Sequence, residues 1–211
     1  MTNRERDEAT AGYEAIYADA ARGARNIPWD RHAPHPLLVQ WFDHAATGRE
    51  GKRAVVVGAG TGDDAAFVAA RGLETIAFDI APSAVAAARE RHPDTAAGFV
   101  EADLFELPEA WSGGFDLVVE IQTIQALPRS LREEVVHQVA RLVAPGGTVV
   151  AIAAAADAPR EDGPPWPLTR DEIDGFERAG LSPVAVDRIA SNGIGPFTSH
   201  WLAEFTRASN G

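Results

Sequence analysis

Cysteine is absent from the 211 residues. That excludes disulfides, a thiolate nucleophile and cysteine-ligated metals. Basic blocks are also missing: 19 Lys and Arg stand against 31 Asp and Glu, for a formal net charge of -12. A nucleic acid would be repelled by that field unless a local basic patch overcame it, and no run of Lys or Arg supplies one. No apolar stretch approaches the roughly 20 residues that span a bilayer, so no membrane partner is expected. The start, Met1 to Glu8, is charged and lacks the apolar core of a signal peptide, which makes the cytoplasm the expected location. His92, His137 and His200 fall in separate segments. No His/Asp/Glu cluster has metal-ligand spacing, so no metal is expected. No internal repeat or low-complexity tract is evident.

Hydrophobic residues make up 45% of the chain, enough for one α/β unit with a packed core. Residues 8–21 carry Tyr13, Ile16 and Tyr17 at helical spacing. After a loop over 25–35, Pro36 suits the first turn of a helix reaching about Ala46, with Leu37, Leu38, Trp41 and Phe42 at helical intervals. Residues 1–49 thus read as a helical extension or cap, and 50–211 as the main unit. From there strands alternate with helices: strand 53–57, helix 62–71, strand 74–79, helix 82–91, strand 97–102, strand 115–121, helix 128–143 and strand 148–154. Pro145-Gly146-Gly147 reads as the turn into that last strand. The alternation predicts a Rossmann-like, doubly wound, mostly parallel seven-stranded sheet. A Pro-rich loop over 157–167, a helix over 169–179 and strands over 182–190 and 199–206 follow. The connection 191–198 has no room for a crossover helix, so the last two strands are expected to be antiparallel.

The most informative stretch is Val57-Gly58-Ala59-Gly60-Thr61-Gly62-Asp63-Asp64. A strand entering a glycine loop that opens into a helix is a cradle for a nucleotide cofactor. A dinucleotide loop reads G-x-G-x-x-G, and its third glycine would fall at Asp63. Asp63 and Asp64 instead occupy the helix N-terminus where a pyrophosphate would bind, and their charge disfavours phosphate. S-adenosylmethionine has no phosphate. Asp79 ends the next strand about 20 residues after the loop, where a carboxylate accepts ribose hydroxyls.

The loop, Phe78-Asp79-Ile80, Glu101-Ala102-Asp103-Leu104, Phe115-Asp116-Leu117-Val118-Val119 and Leu142-Val143-Ala144-Pro145-Gly146-Gly147 together resemble a class I S-adenosylmethionine-dependent methyltransferase over roughly residues 50–207. One departure is Val56, where many members carry an acid that contacts the cofactor's amino group. Ile27-Pro28-Trp29-Asp30, the Pro-rich step to Leu37, Asp103-Leu104-Phe105, residues 119–127 and Gly163-Pro164-Pro165-Trp166-Pro167 are similar to the thiopurine S-methyltransferase-like branch. That branch methylates thiols and other small, soft nucleophiles.

The resemblance implies a cofactor set of Trp29, Gly58, Ala59, Gly60, Gly62, Asp79, Ile80, Asp103, Leu104, Glu120 and Ile121. Asp103 would meet the adenine amino group, and Trp29 would lay its indole near the sulfonium. Trp29, His32, His35, Gln122, Gln125 and Trp166 are the expected acceptor-side residues. His32 and His35 are the tentative bases, being tunable near neutral pH. Residues 163–166 superficially match the Asp/Asn-Pro-Pro-aromatic motif of nucleic-acid amino methylases, but Gly163 leads and the preceding strand is the wrong one. The expected activity is direct in-line methylation of a small molecule, possibly a thiol. O- or N-methylation with a histidine base, and a non-catalytic cofactor-binding module, are the alternatives; oligomeric state is open. Calorimetry is expected to show S-adenosylmethionine and its demethylated product binding at micromolar Kd or tighter, with no NAD binding; NAD binding of equal strength would refute the phosphate argument.

Overall fold

The computed structural model describes residues 3–44, 51–191 and 193–209. Seven strands form one sheet in the order β3-β2-β1-β4-β5-β7-β6. They are β1 (Arg53–Val57), β2 (Glu74–Asp79), β3 (Gly98–Glu101), β4 (Phe115–Ile121), β5 (Val143–Ala154), β6 (Ser182–Ala190) and β7 (Ser199–Thr206). The first five run parallel, and β7 is antiparallel to both β5 and β6. The doubly wound sheet and its terminal hairpin are therefore as expected.

Alternation along the strands builds two cores. Val55, Val57, Val118, Val149 and Ala151 face one side, where α5 (Arg132–Arg141) presents Val135, Val136 and Val139. The short helices α6 (Arg170–Ile173) and α7 (Gly175–Arg178) add Ile173 and Phe176 to that side. Ala54, Val56, Leu117, Val119, Val150 and Ile152 face the other side, against α2 (Pro36–His44), α3 (Asp63–Ala69) and α4 (Pro82–Arg91). Trp41 of α2 donates its indole N–H to Glu204 at 2.8 Å, which pins the helix over β7. The expected end of this helix, near Ala46, lies outside the described residues.

The first helix, α1 (Asn3–Ala21), packs on α4. Glu14 accepts the backbone N–H of Ser83 at 3.0 Å and its hydroxyl at 2.5 Å. The carboxylate thereby caps the first turn of α4, whose own N-cap, Ala81, offers no side-chain acceptor. Tyr17 joins Ala81, Ala84 and Ile27 in a small apolar cluster.

Three boundaries differ from the sequence expectation. The helix expected over 128–143 begins as a 3₁₀ turn, Arg129–Leu131, and becomes α-helical only at Arg132. Pro145-Gly146-Gly147 is not a turn ahead of the strand: Val143 already pairs with Phe115, Thr148 next pairs with Leu117, and the intervening residues bulge from the ladder. The helix expected over 169–179 is broken at Asp174 into α6 and α7.

Gly62 caps α3 with φ +87°. A Cβ there would stand 2.9 Å from both Ala88 Cβ and the Phe99 ring. This residue, rather than a glycine at position 63, permits the close packing of the loop on α4 and β3. Gly62→Ala combines left-handed strain with overpacking and is expected to cost about 2–4 kcal/mol in urea unfolding; an unchanged midpoint would refute the packing argument.

Candidate functional site

Parallel register brings the ends of four strands together. Val57 lies beside Phe78 and Glu120, and Asp79 beside Glu101. The glycine loop, Asp79-Ile80, Ala102-Asp103-Leu104 and Ile121-Gln122 thus lie together at the carboxyl edge of the sheet, where open α/β folds bind ligands. Gly58, Gly60 and Gly62 all have positive φ. A Cβ on Gly58 would strike Thr123 Oγ1 at 2.2 Å, and one on Gly60 would sit 3.0 Å from the Tyr17 hydroxyl.

Asp79 is almost fully buried. One carboxylate oxygen accepts the N–H of Gly60 at 2.9 Å and the other the N–H of Ala81 at 3.0 Å. Burial raises its pKa, and those backbone donors oppose the rise. With Ile80 as a third backbone donor, the carboxylate keeps room for a further one. Asp103 caps the following 3₁₀ turn by accepting the Phe105 N–H at 2.8 Å through one oxygen.

The acids at the start of α3 anchor the segment leading into α2. Asp63 and Asp30 share Arg91: its guanidinium donates to Asp63 at 2.8 Å and to Asp30 at 2.6 and 2.8 Å. These bonds hold the Asp30 carboxyl below its usual range. Asp64 accepts the His35 backbone N–H at 2.6 Å; burial pushes its pKa up to about 6. The acids that argue against phosphate therefore also tie the N-terminal segment beside the loop.

That segment carries an aromatic group the sequence reading left undeveloped. Trp29 packs edge-on against Tyr13 and Tyr17, at 5.8 and 6.0 Å between centroids. Its indole N–H donates to the Tyr17 hydroxyl at 3.0 Å. Tyr13 donates to the Ala126 carbonyl at 2.7 Å. Trp29 remains 37% exposed, while burial raises the pKa of both tyrosines. The i, i+4 spacing of Tyr13 and Tyr17 was the available signal; which hydroxyl reaches the glycine loop depends on how α1 crosses it.

Three expected site residues are buried and bonded to backbone. His35 is 1% exposed, and its Nδ1 accepts the Leu37 N–H at 3.2 Å. Burial, then Arg31, then His200 push its pKa down to about 3, so it is not poised as an accessible base. Glu120 is fully buried; one oxygen accepts the Ile124 N–H at 2.9 Å and the other has no partner. Gln125 is buried too, and its side-chain carbonyl accepts the Ala154 N–H at 2.6 Å. Glu120 and Gln125 brace the loop after β4.

His32 has φ +53° and a side chain 75% exposed, with Nε2 3.7 Å from Asp30. Gln122 also has positive φ, +63°, and its N–H donates to Ile152 at 2.8 Å. Trp166 donates its backbone N–H to Gln125 at 2.7 Å, which draws the loop after β5 onto the loop after β4. Buried Arg132 reinforces that junction by bonding the Ile124 and Trp166 carbonyls and pairing with Glu172. Among the described residues, no group of three or more His, Cys, Asp or Glu side chains is placed to hold a metal ion, and no helix is long and apolar enough to cross a membrane.

The thiopurine S-methyltransferase (TPMT) family profile matches residues 20–182. The chain belongs to the thiopurine S-methyltransferase family. It is also 24% identical, over 89% of its length and 85% of the relative's, to a 2-heptyl-1-hydroxyquinolin-4(1H)-one methyltransferase of Mycobacteroides abscessus. To a ubiquinone biosynthesis O-methyltransferase of Acinetobacter baylyi it is 27% identical over 57% of the chain, and the match spans only 54% of that enzyme. The N-methyltransferase NodS of Bradyrhizobium japonicum, solved with S-adenosylhomocysteine, shares the fold with a TM-score of 0.73 at 18% identity, over 94% of this chain and 98% of that one. The family implies S-adenosylmethionine, and the residues fit it. The glycines keep Cβ atoms out of the loop, and Asp79 and Asp103 retain acceptor capacity toward hydroxyl and amino groups.

Buried Glu120 has its pKa raised by burial to about 7. An acid raised in the folded state binds more protons folded than unfolded, so stability falls as pH rises from about 4.5 through 7. Glu120→Gln keeps an acceptor for Ile124 without the ionisation cost. The variant is expected to match the parent near pH 4 and to exceed it by about 1–3 kcal/mol at pH 8 in paired thermal melts; a pH-independent difference would refute this.

Proposed function

We propose that this protein methylates a small molecule, a thiol or another soft nucleophile, by direct in-line transfer from S-adenosylmethionine. The proposed cofactor contacts are Trp29, Gly58, Ala59, Gly60, Gly62, Asp79, Ile80, Asp103, Leu104 and Ile121. Residues 1–49 are read as a cap on the unit 50–211, and Trp29, His32, Gln122 and Trp166 as acceptor-side residues. When bound, the cofactor supplies a methyl group on a sulfonium, whose breaking bond leaves its electron pair on sulfur.

The observation that carries the soft-nucleophile reading is the state of the two expected bases. His35 is neutral and enclosed, and His32 is directed largely to solvent beside Asp30. An acceptor that sheds its proton to water before transfer needs neither. The chain then supplies orientation and exclusion of water, and alignment alone contributes about 7–11 kcal/mol in well-placed reactions. The aromatic group of Tyr13, Tyr17 and Trp29 suits a neighbouring sulfonium, since a cation over an indole gains about 0.5–2 kcal/mol.

O-methylation is a second reading, supported by the name of the Acinetobacter relative. A tritiated-methyl assay across thiophenol, phenol, aniline and iodide separates the two. Thiophenol is expected to react fastest, with a pH–rate profile following the thiol's own ionisation and surviving His32→Ala. Transfer confined to phenol and abolished by His32→Ala would replace this reading with the base-dependent one.

A further inference from the structure

A second concavity of about 420 Å³ lies between α2 and the β6–β7 connection. Its apolar wall includes Leu37, Ile189 and Ile194, and its one cationic lining residue is Arg31. Ile189 pairs with His200, which in turn pairs with Ala154 at the end of β5. The groove therefore stands at the carboxyl edge of the sheet, with Arg31 in electrostatic reach of Asp64 in the first turn of α3, two residues after Gly62.

Around Arg31 the acceptors are only partly free, and Asp64 attracts its charge. Asp30 gives both oxygens to Arg91, and Asp64 gives one to the His35 backbone. Among the described residues, the Arg31 guanidinium makes no hydrogen bond and no ion pair, although Asp64, His35 and His200 all feel its charge. His35 and His200 are fully enclosed, with ring centroids 5.9 Å apart. Because His35 Nδ1 accepts the Leu37 N–H, a neutral ring carries its proton on Nε2, and that donor has no acceptor. His200 holds Ser191 through Nδ1 and also leaves Nε2 without a partner. The wall behind the groove thus holds one unpaired donor, His35 Nε2, beside a Ser191–His200 pair whose hydrogen bond leaves either ring nitrogen free to carry the proton.

We propose that this groove is a subsite for the anionic oxygen, carboxylate or phenolate, of a small amphipathic molecule, received by Arg31 with its apolar part against Leu37, Ile189 and Ile194. The occupant is the methyl acceptor, an assignment that rests on the methyltransferase reading above. A planar anion suits the forked donors of Arg better than a neutral head group does. Arg31 and His35 flank the segment tied to the first turn of α3 through Asp64 and Arg91, so an occupant would bear on the helix that opens from the glycine loop.

The test compares 4-mercaptobenzoate with its neutral counterpart 4-mercaptobenzamide on the full chain saturated with S-adenosylhomocysteine. Binding is read by calorimetry, and methyl transfer is measured separately with S-adenosylmethionine. The carboxylate is expected to bind at least tenfold tighter and to show a correspondingly lower KM at similar kcat. Arg31→Met should erase that preference while leaving the benzamide affinity in place, and Arg31→Lys should restore part of it. Ile194→Glu, which puts a carboxylate into the groove without touching Arg31, should also erase it. Equal binding of the two thiols, or a preference that survives both Arg31→Met and Ile194→Glu, overturns the subsite. Methyl transfer to both thiols without a carboxylate preference would sink the subsite alone. Preferential carboxylate binding lost in Arg31→Met, with transfer to neither thiol, would uphold an anion site and count against thiol methylation.

Discussion

The Asp79 carboxylate is the joint on which this edge of the molecule is assembled. Its two oxygens take the N–H groups of Gly60 and Ala81, fastening the glycine loop after β1 to the first turn of α4 after β2. A buried acid receiving two backbone donors at the ends of adjacent parallel strands fixes the spacing of the loops that a cofactor would touch. Glu14 then caps the same helix from α1, and Tyr17 reaches the loop from one turn further along α1. α1 is thereby held against α4 and the glycine loop by polar groups one turn apart.

A second set of buried polar groups organises the opposite wall. Glu120, Gln125, Arg132 and Glu172 each bond nearby backbone, and Arg132 pairs with Glu172. Buried polar groups of this kind are costly unless satisfied. Here they hold irregular backbone, including Gln122 in the left-handed region, where regular ladders end. The cost falls at a place where loop geometry sets the shape of a site.

Much of this was legible in the chain. β-branched runs separated by helical periodicity located β1, β2, β4 and β5, because strand and helix periods differ. The short 191–198 connection implied the antiparallel ending for a geometric reason. The glycine loop with Asp63 and Asp64 argued for a phosphate-free cofactor, on glycine spacing and charge. Other features escaped sequence reasoning. Pro145-Gly146-Gly147 carries turn chemistry, yet β4 already pairs with Val143, two residues before it, and turns the tripeptide into part of a bulge. His35 has the composition of a tunable base, yet burial and Arg31 make it a neutral residue at the start of α2.

The sequence by itself determined the order of the elements, the conformational freedom of the loop and the sign of its charge. These follow from local backbone preference and composition. Tertiary structure decided which of several acids and histidines face a crevice, which are committed to backbone donors, and which cation is left without an acceptor. Those outcomes depend on partners as distant in sequence as Arg91 from Asp30 and Glu172 from Arg132, brought together only when both faces of the sheet are covered.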